Sequence, residues 1–174
     1  MKHLDKGDTF AVDQLIHSVN ADRYVGMVLP GGVANADALR LDADAVELVR
    51  AMFAARKPAA VICHGAWALV EADVVAGRTL TSWPSLRSDI RNAGGNWIDA
   101  EVHVCTDGPN ALVTSRKPDD LPAFNRALID VFSRAANARV TDRPSVPDRD
   151  ADDLIDEAGR ESFPASDPPA FTAG

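Results

Sequence analysis

The chain has 174 residues, of which 46% are hydrophobic and 25% charged, and its net charge is −8. This length allows one domain with an ordinary core, plus a tail. The sequence has no basic stripe to neutralise phosphates and no apolar run as long as a membrane span, which argues against nucleic-acid and membrane partners. Two cysteines without paired spacing, and a first segment unlike a secretory signal, predict the reducing cytoplasm.

The first half of the chain alternates between strand and helix patterns. Residues 9–16 predict one or two short strands, and the apolar run Val25–Leu29 is typical of a strand buried on both faces. From Asp42 the apolar residues recur at helical spacing. This pattern predicts a helix with Asp42 as its N-cap and Lys57-Pro58 as its end.

A second strand and helix follow directly. The run Ala59–Ile62 predicts another buried strand, which leads into Cys63 and then a helix over about 66–76. A further helix is predicted over 85–93, closed by Gly94-Gly95. Such alternation predicts the α/β class, with a mainly parallel sheet and helices on both faces.

The remainder of the domain predicts short strands and one long helix. The strands are predicted over 97–99, 102–105 and 111–115, and the helix from Pro118 to about Ala136. Residues 138–174 differ in composition, because they hold five of the eleven prolines and nine acids against four arginines. The sequence therefore predicts an α/β domain over 1–137 and a disordered acidic tail over 138–174.

Two predicted strand ends carry residues suited to chemistry. Sites in parallel α/β sheets lie at the carboxyl ends of the strands. Glycines follow the first strand at Gly31-Gly32, and Cys63-His64-Gly65 lies between the second strand and its helix. A thiol at a helix N-terminus favours the thiolate, and a neighbouring amide N–H can serve an oxyanion. By position alone, however, the simpler interpretation is a buried structural thiol with His64 as a capping residue.

The motifs in order and spacing resemble the PfpI family of intracellular proteases and deglycases, a branch of the class I glutamine amidotransferase-like superfamily. The resemblance covers about residues 1–135 and implies a flavodoxin-like three-layer sandwich. The motifs that carry it are Val28-Leu29-Pro30-Gly31-Gly32, Arg40-Leu41, 57–65, Gly77-Arg78, 80–84, Asp89, 92–94, 97–99, 112–116 and 118–124.

The resemblance also implies a cysteine-nucleophile hydrolase acting on a small carbonyl compound or a peptide. Cys63 matches the family nucleophile and His64 the histidine beside it. Asp37, expected in the loop after the glycines, matches an acid that orients the histidine of a neighbouring subunit, so a homodimer or larger homo-oligomer is expected. The oxyanion and binding positions are Gly31, Gly32 and Gly65.

The sequence departs from the family at its N-terminus, and this departure leaves two classes of function open. Members begin with a strand–helix–strand unit whose glutamate hydrogen-bonds the cysteine, whereas no glutamate precedes Glu47 here. We therefore expect an N-terminally truncated domain whose reading frame continues upstream. The alternative to the enzyme is a non-catalytic stress-response or redox-sensing protein, or an inactive fragment. No cofactor is expected, and His3, His17 and His103 show no metal-ligand spacing.

Overall fold

A computed structural model describes residues 9–141, all of which belong to one compact unit. Of the tail predicted over 138–174, residues 138–141 belong to the last helix, and the part from residue 142 onward lies outside the described residues. The helices are α1 (Val33–Leu41), α2 (Ala43–Ala54), α3 (Ala66–Glu71), α4 (Arg87–Asn92) and α5 (Leu121–Thr141). The strands are β1 (Met27–Leu29), β2 (Ala59–Ile62), β3 (Thr79–Leu80), β4 (Asn96–Trp97), β5 (Val102–Cys105) and β6 (Leu112–Ser115).

The main sheet has four strands in the order β1-β2-β6-β5. Strand β2 is parallel to both β1 and β6, with Ala59 opposite Met27 on one side and Leu112 on the other. Strand β5 runs antiparallel to β6, and β3 and β4 form a separate parallel pair. Within residues 9–141, β1 lies at one margin of the sheet and pairs with β2 alone. This is the mainly parallel α/β architecture that the sequence predicted.

The two faces of β2 pack against different helices, because successive side chains in a strand point to opposite sides. Ala59 and Val61 join a core with residues of α2 and α3. Ala60 and Ile62 join a second core that contains Phe124 of α5. All four β2 residues are buried, which explains why the strand reads as a continuous apolar run. The helices therefore cover both faces, as expected.

Helix α2 confirms the predicted N-cap, but its C-terminal cap was not predicted from the sequence. The Asp42 carboxylate accepts hydrogen bonds from the backbone N–H groups of Asp44 and Ala45. At the other end Arg56 adopts a left-handed φ of 55°, and Lys57 N donates to Met52 O at 3.0 Å. This is a Schellman-type ending with arginine where glycine is usual.

Helix α3 is shorter than the predicted 66–76, and the reason is a similar cap. Asp73 has φ 58°, Asp73 N donates to Val70 O, and Val74 N donates to Leu69 O. An aspartate in the left-handed region is uncommon enough that the sequence pattern missed this ending.

Three further expectations are corrected. The strands predicted over 9–16 are wrong, because no sheet edge receives them and Phe10 stays 83% exposed. Helix α1 occupies 33–41, where a loop was predicted. Helix α5 continues five residues past Ala136 to Thr141, and there Arg139 Nη1 donates to Tyr24 O at 3.1 Å.

In the part of the chain that the structure describes, no helix combines the length and apolar character needed to cross a membrane.

Candidate functional site

Cys63 lies on a sharp turn between β2 and the helical segment that follows it. Its backbone has φ 63°, a left-handed value that costs a residue with a Cβ atom roughly 1–2 kcal/mol. A 3₁₀ turn over Cys63–Gly65 then leads into α3. Strain of this kind persists only where the surrounding structure holds it in place. The predicted arrangement of strand, turn, cysteine and helix is therefore present, with the cysteine at its apex.

Two glycines make room for this turn. A Cβ added at Gly31 would lie 2.5 Å from Cys63 Cβ and 3.2 Å from its Sγ. A Cβ at Gly65 would lie 2.9 Å from the carbonyl oxygens of both Leu29 and Pro30. Real Cβ atoms do not approach other atoms so closely, so both positions require glycine. The backbone of Gly31 consequently runs directly beside the Cys63 thiol.

His64 is brought to the thiol by the same turn. The Cys63 Sγ and His64 Nδ1 atoms are 3.3 Å apart, within hydrogen-bond distance for sulfur. Burial lowers the pKa of His64 below its ordinary value, which favours the neutral imidazole. A neutral ring has one nitrogen free to accept a proton. Adjacent residues therefore face each other here, which an extended strand would not allow.

Two tryptophans fix the His64 ring. Trp83 stacks on it with centroids 5.7 Å apart and planes inclined by 25°. Trp67 meets it edge-on at 5.3 Å, and Trp67 Nε1 donates to Asp89 Oδ2 at 2.8 Å. Trp83 N also donates to the Cys63 carbonyl at 3.3 Å. The sequence analysis gave these tryptophans no role in the site, although Trp83 lies within the motif over 80–84.

Gly32 and the helix α1 that follows it lie beside the Cys63 turn. Gly32 is the N-cap of α1 with φ 91°, and its carbonyl accepts from Ala36 N at 2.9 Å. Helix α1 contacts α3 and the Cys63–Gly65 turn. Asp37 lies within this helix and is exposed, which corrects its expected loop position. Among the described residues Asp37 makes no side-chain hydrogen bond or ion pair, so its expected role stays a prediction.

The neighbouring strand ends in a charged cluster that the sequence analysis did not identify. Ile62 and Ser115 are in register in β2 and β6, so Arg116 follows its strand where Cys63 follows its own. The Arg116 guanidinium binds Asp99 at 2.7 Å and Asp120 at 2.9 Å, and its hydrogen bond to Asp120 lowers the pKa of that carboxyl group. A cavity of about 260 Å³ separates this cluster from Trp83. The cluster is a rigid polar border on the Cys63 side of the sheet.

The second cysteine occupies a different environment. Cys105 ends β5, is 2% exposed, and its Sγ lies 3.6 Å from the carbonyl oxygen of Asp107. Among the described residues, no histidine forms a hydrogen bond with its thiol. Nor do residues 9–141 contain a group of three or more His, Cys, Asp or Glu side chains that could hold a metal ion.

Comparison with known proteins identifies the relatives of this chain. Residues 3–131 match the DJ-1/PfpI family. The chain is 44% identical over 123 residues to general stress protein 18 of Bacillus subtilis, covering 71% of this chain and 69% of that protein. It is 45% identical over 123 residues to the deglycase PfpI of Pyrococcus furiosus, covering 71% of each chain. A two-domain structure from Anabaena variabilis with a DJ-1/ThiJ/PfpI-like domain matches with a TM-score of 0.62 and 30% identity, over 66% of this chain and 33% of that one.

Proposed function

Because the chain belongs to the DJ-1/PfpI family, we propose that it is a cysteine-nucleophile hydrolase of the deglycase type, with Cys63 as the nucleophile. The observation that carries the proposal is the strained turn that holds the Cys63 thiol 3.3 Å from a neutral His64 ring. Relatives named deglycases support the reaction class. The substrate class is a small amine or peptide that bears a carbonyl-derived adduct.

The proposed chemistry begins with activation of the thiol. The Cys63 proton passes to His64 Nδ1 and on to the adduct nitrogen as Sγ attacks the carbinol carbon that bears this nitrogen, so the C–N bond breaks, the amine leaves and a C–S bond forms. The resulting hemithioacetal keeps a neighbouring carbonyl group, and negative charge develops on the oxygen of that group when the hemithioacetal carbon loses its proton to His64. Backbone N–H groups of Gly32 and His64 are the expected donors to that oxygen. The imidazolium then returns this proton to the neighbouring carbon while the hydroxyl proton moves to the charged oxygen, which leaves a thioester at Cys63. Water finally hydrolyses the thioester, so a hydroxy acid leaves and the thiol is regenerated.

We further propose that the active form is a homodimer or larger assembly. An isolated histidine needs a partner to fix its ring and stabilise the imidazolium. The tryptophans orient the ring but carry no charge, whereas Asp37 is exposed on α1 and makes no contact with described residues that would hold it. In this proposal Asp37 of a neighbouring copy supplies the carboxylate.

The proposal is tested by amine release from methylglyoxal-treated N-acetyl-lysine. Wild type should release the amine, Cys63→Ser should fall to the uncatalysed rate, and Cys105→Ser should keep wild-type activity. His64→Phe, which retains an aromatic ring against the tryptophans, should lose about 10²–10⁴-fold in kcat. Full activity in Cys63→Ser would refute the nucleophile. Absence of turnover in wild type, with Cys63 still oxidised by peroxide, would instead favour the redox-sensing alternative.

A further inference from the structure

A second cavity lies at the opposite ends of the strands from Cys63. It has a volume of about 500 Å³. Its position follows from the topology, because its wall includes the segment that enters β2 and the turn between β5 and β6. The charged residues that line it are Arg50, Arg56, Asp73 and Arg78. The site proposed above uses none of them.

Arg78 brings a buried charge without a counter-ion to this cavity. The residue is 2% exposed, and its guanidinium donates to Asn110 Oδ1, Asn110 O and Cys105 O at 2.6, 2.6 and 3.3 Å. All three acceptors are neutral, and Arg78 Nε has no hydrogen-bond partner in the described structure. The Phe53 ring, 5.6 Å away, offers only a weak cation–π contact. A buried cation that lacks an anionic partner is costly, so the site favours an added anion.

Two more arginines stand on the wall of the same cavity. Arg50 donates to the backbone carbonyls of Ala72 and Glu71 at 3.3 and 3.2 Å and pairs with the Glu47 carboxylate at 3.7 Å, which fixes its guanidinium at the end of α3. Arg56 is exposed and has no side-chain hydrogen bond or ion pair to any described residue. Asp73 is the one acid among the lining residues, so guanidinium groups outnumber carboxylates by three to one. The left-handed turns at Arg56 and Asp73 fix the positions of these two residues.

We propose that this cavity binds a small multivalent oxyanion, such as a phosphate ester or a polycarboxylate. The planar guanidinium fork matches phosphate and carboxylate oxygens, which can take two parallel hydrogen bonds. Arg56 contacts the ligand, and the charges of Arg50 and of the buried Arg78 supply the field that attracts it. Asp73 opposes binding. The site is independent of the chemistry at Cys63 and lies at the other end of the strands.

Isothermal titration of the full chain with inorganic pyrophosphate and with citrate, at constant low ionic strength, tests the proposal. The direction in which each substitution changes the binding affinity distinguishes this site from nonspecific anion binding. Arg56→Gln should weaken binding about two- to fivefold, Asp73→Asn should tighten it by a similar factor, and Arg126→Gln, an exposed arginine of α5, should leave it unchanged. If only pyrophosphate binds, the ligand class is phosphate; if only citrate binds, the ligand class is carboxylate. The proposal is overturned if neither anion binds at millimolar concentration, or if the Arg56 and Arg126 variants respond alike.

Discussion

The two cysteines of this chain show how backbone position, more than residue type, prepares a thiol for chemistry. Cys63 ends a strand that is parallel to both of its neighbours, is half-buried, and has a histidine nitrogen 3.3 Å from its sulfur. Cys105 ends a strand that pairs antiparallel to β6, is buried, and faces a backbone carbonyl. The first is held in a left-handed turn and the second is not. Access, strain and a proton acceptor therefore coincide only at Cys63.

Among variants that keep Cys63 and His64, the largest expected effect on activity comes from filling the space beside Cys63. Gly31→Ala places a Cβ 2.5 Å from Cys63 Cβ, so the turn must move and the Sγ–Nδ1 distance must change. We expect amine release to fall at least about tenfold and the protein to lose about 1–3 kcal/mol of stability.

The matched control is Gly77→Ala. Gly77 also has a left-handed φ, 72°, but nothing lies within 4 Å of its added Cβ. This variant should lose only the stability that the backbone strain costs, and it should keep its activity. Thermal melting measures the first and turnover the second. Equal losses of turnover in the two variants would show that general destabilisation, and not the geometry at Cys63, causes the effect.

A smaller effect is expected in the pH profile. Because burial lowers the pKa of His64, the neutral ring persists to lower pH than a free imidazole, and activity should fall only as pH drops through that lowered pKa. Trp83→Ala hydrates the ring, so the acid limb of kcat/KM should move up toward the ordinary value of 6.5. Trp83→Phe retains a stacked ring and should leave the limb in place. If the acid limb of the kcat/KM profile does not move in Trp83→Ala, His64 is not the group that takes part in the proton transfer.

The smallest effect is expected at Asp89, which touches the site only through Trp67. Asp89→Ala removes the acceptor of the Trp67 indole N–H and should cost about 0.5–1.5 kcal/mol in stability, with a modest loss of turnover. Asp89→Asn keeps an acceptor oxygen and should recover most of both. If Asp89→Asn recovers neither stability nor turnover, the negative charge of Asp89 is needed, and its hydrogen bond to Trp67 does not explain the effect.

Local patterns were sufficient to predict the elements that carry the nucleophile. The apolar run Ala59–Ile62 and the cysteine after it predicted the strand and turn, because a doubly buried strand has a plain sequence signature. The Asp42 cap was equally local. The left-handed endings at Arg56 and Asp73 were not predictable, since neither residue is a glycine.

Other features depend on contacts between distant segments. The His64 ring stacks on Trp83, which belongs to a different segment, and the periodicity of the sequence does not predict this contact. The strands expected over 9–16 are absent for a related reason, because a short apolar segment forms a strand only where a sheet edge receives it. Helix α1 was missed because its sequence mixes alanine with Asn35 and Asp37, which are weak helix formers.

The difference between the two cysteines is tested most directly by their relative reactivity in the native protein. Limiting iodoacetamide at neutral pH, followed by peptide mass mapping, reports the alkylation rate of each thiol, and full reactivity of both in denaturant provides the reference. The account predicts that Cys63 is alkylated about tenfold or more faster than Cys105, and that Gly31→Ala narrows the gap. Equal rates, or faster labelling of Cys105, would contradict the assignment of Cys63 as the nucleophile.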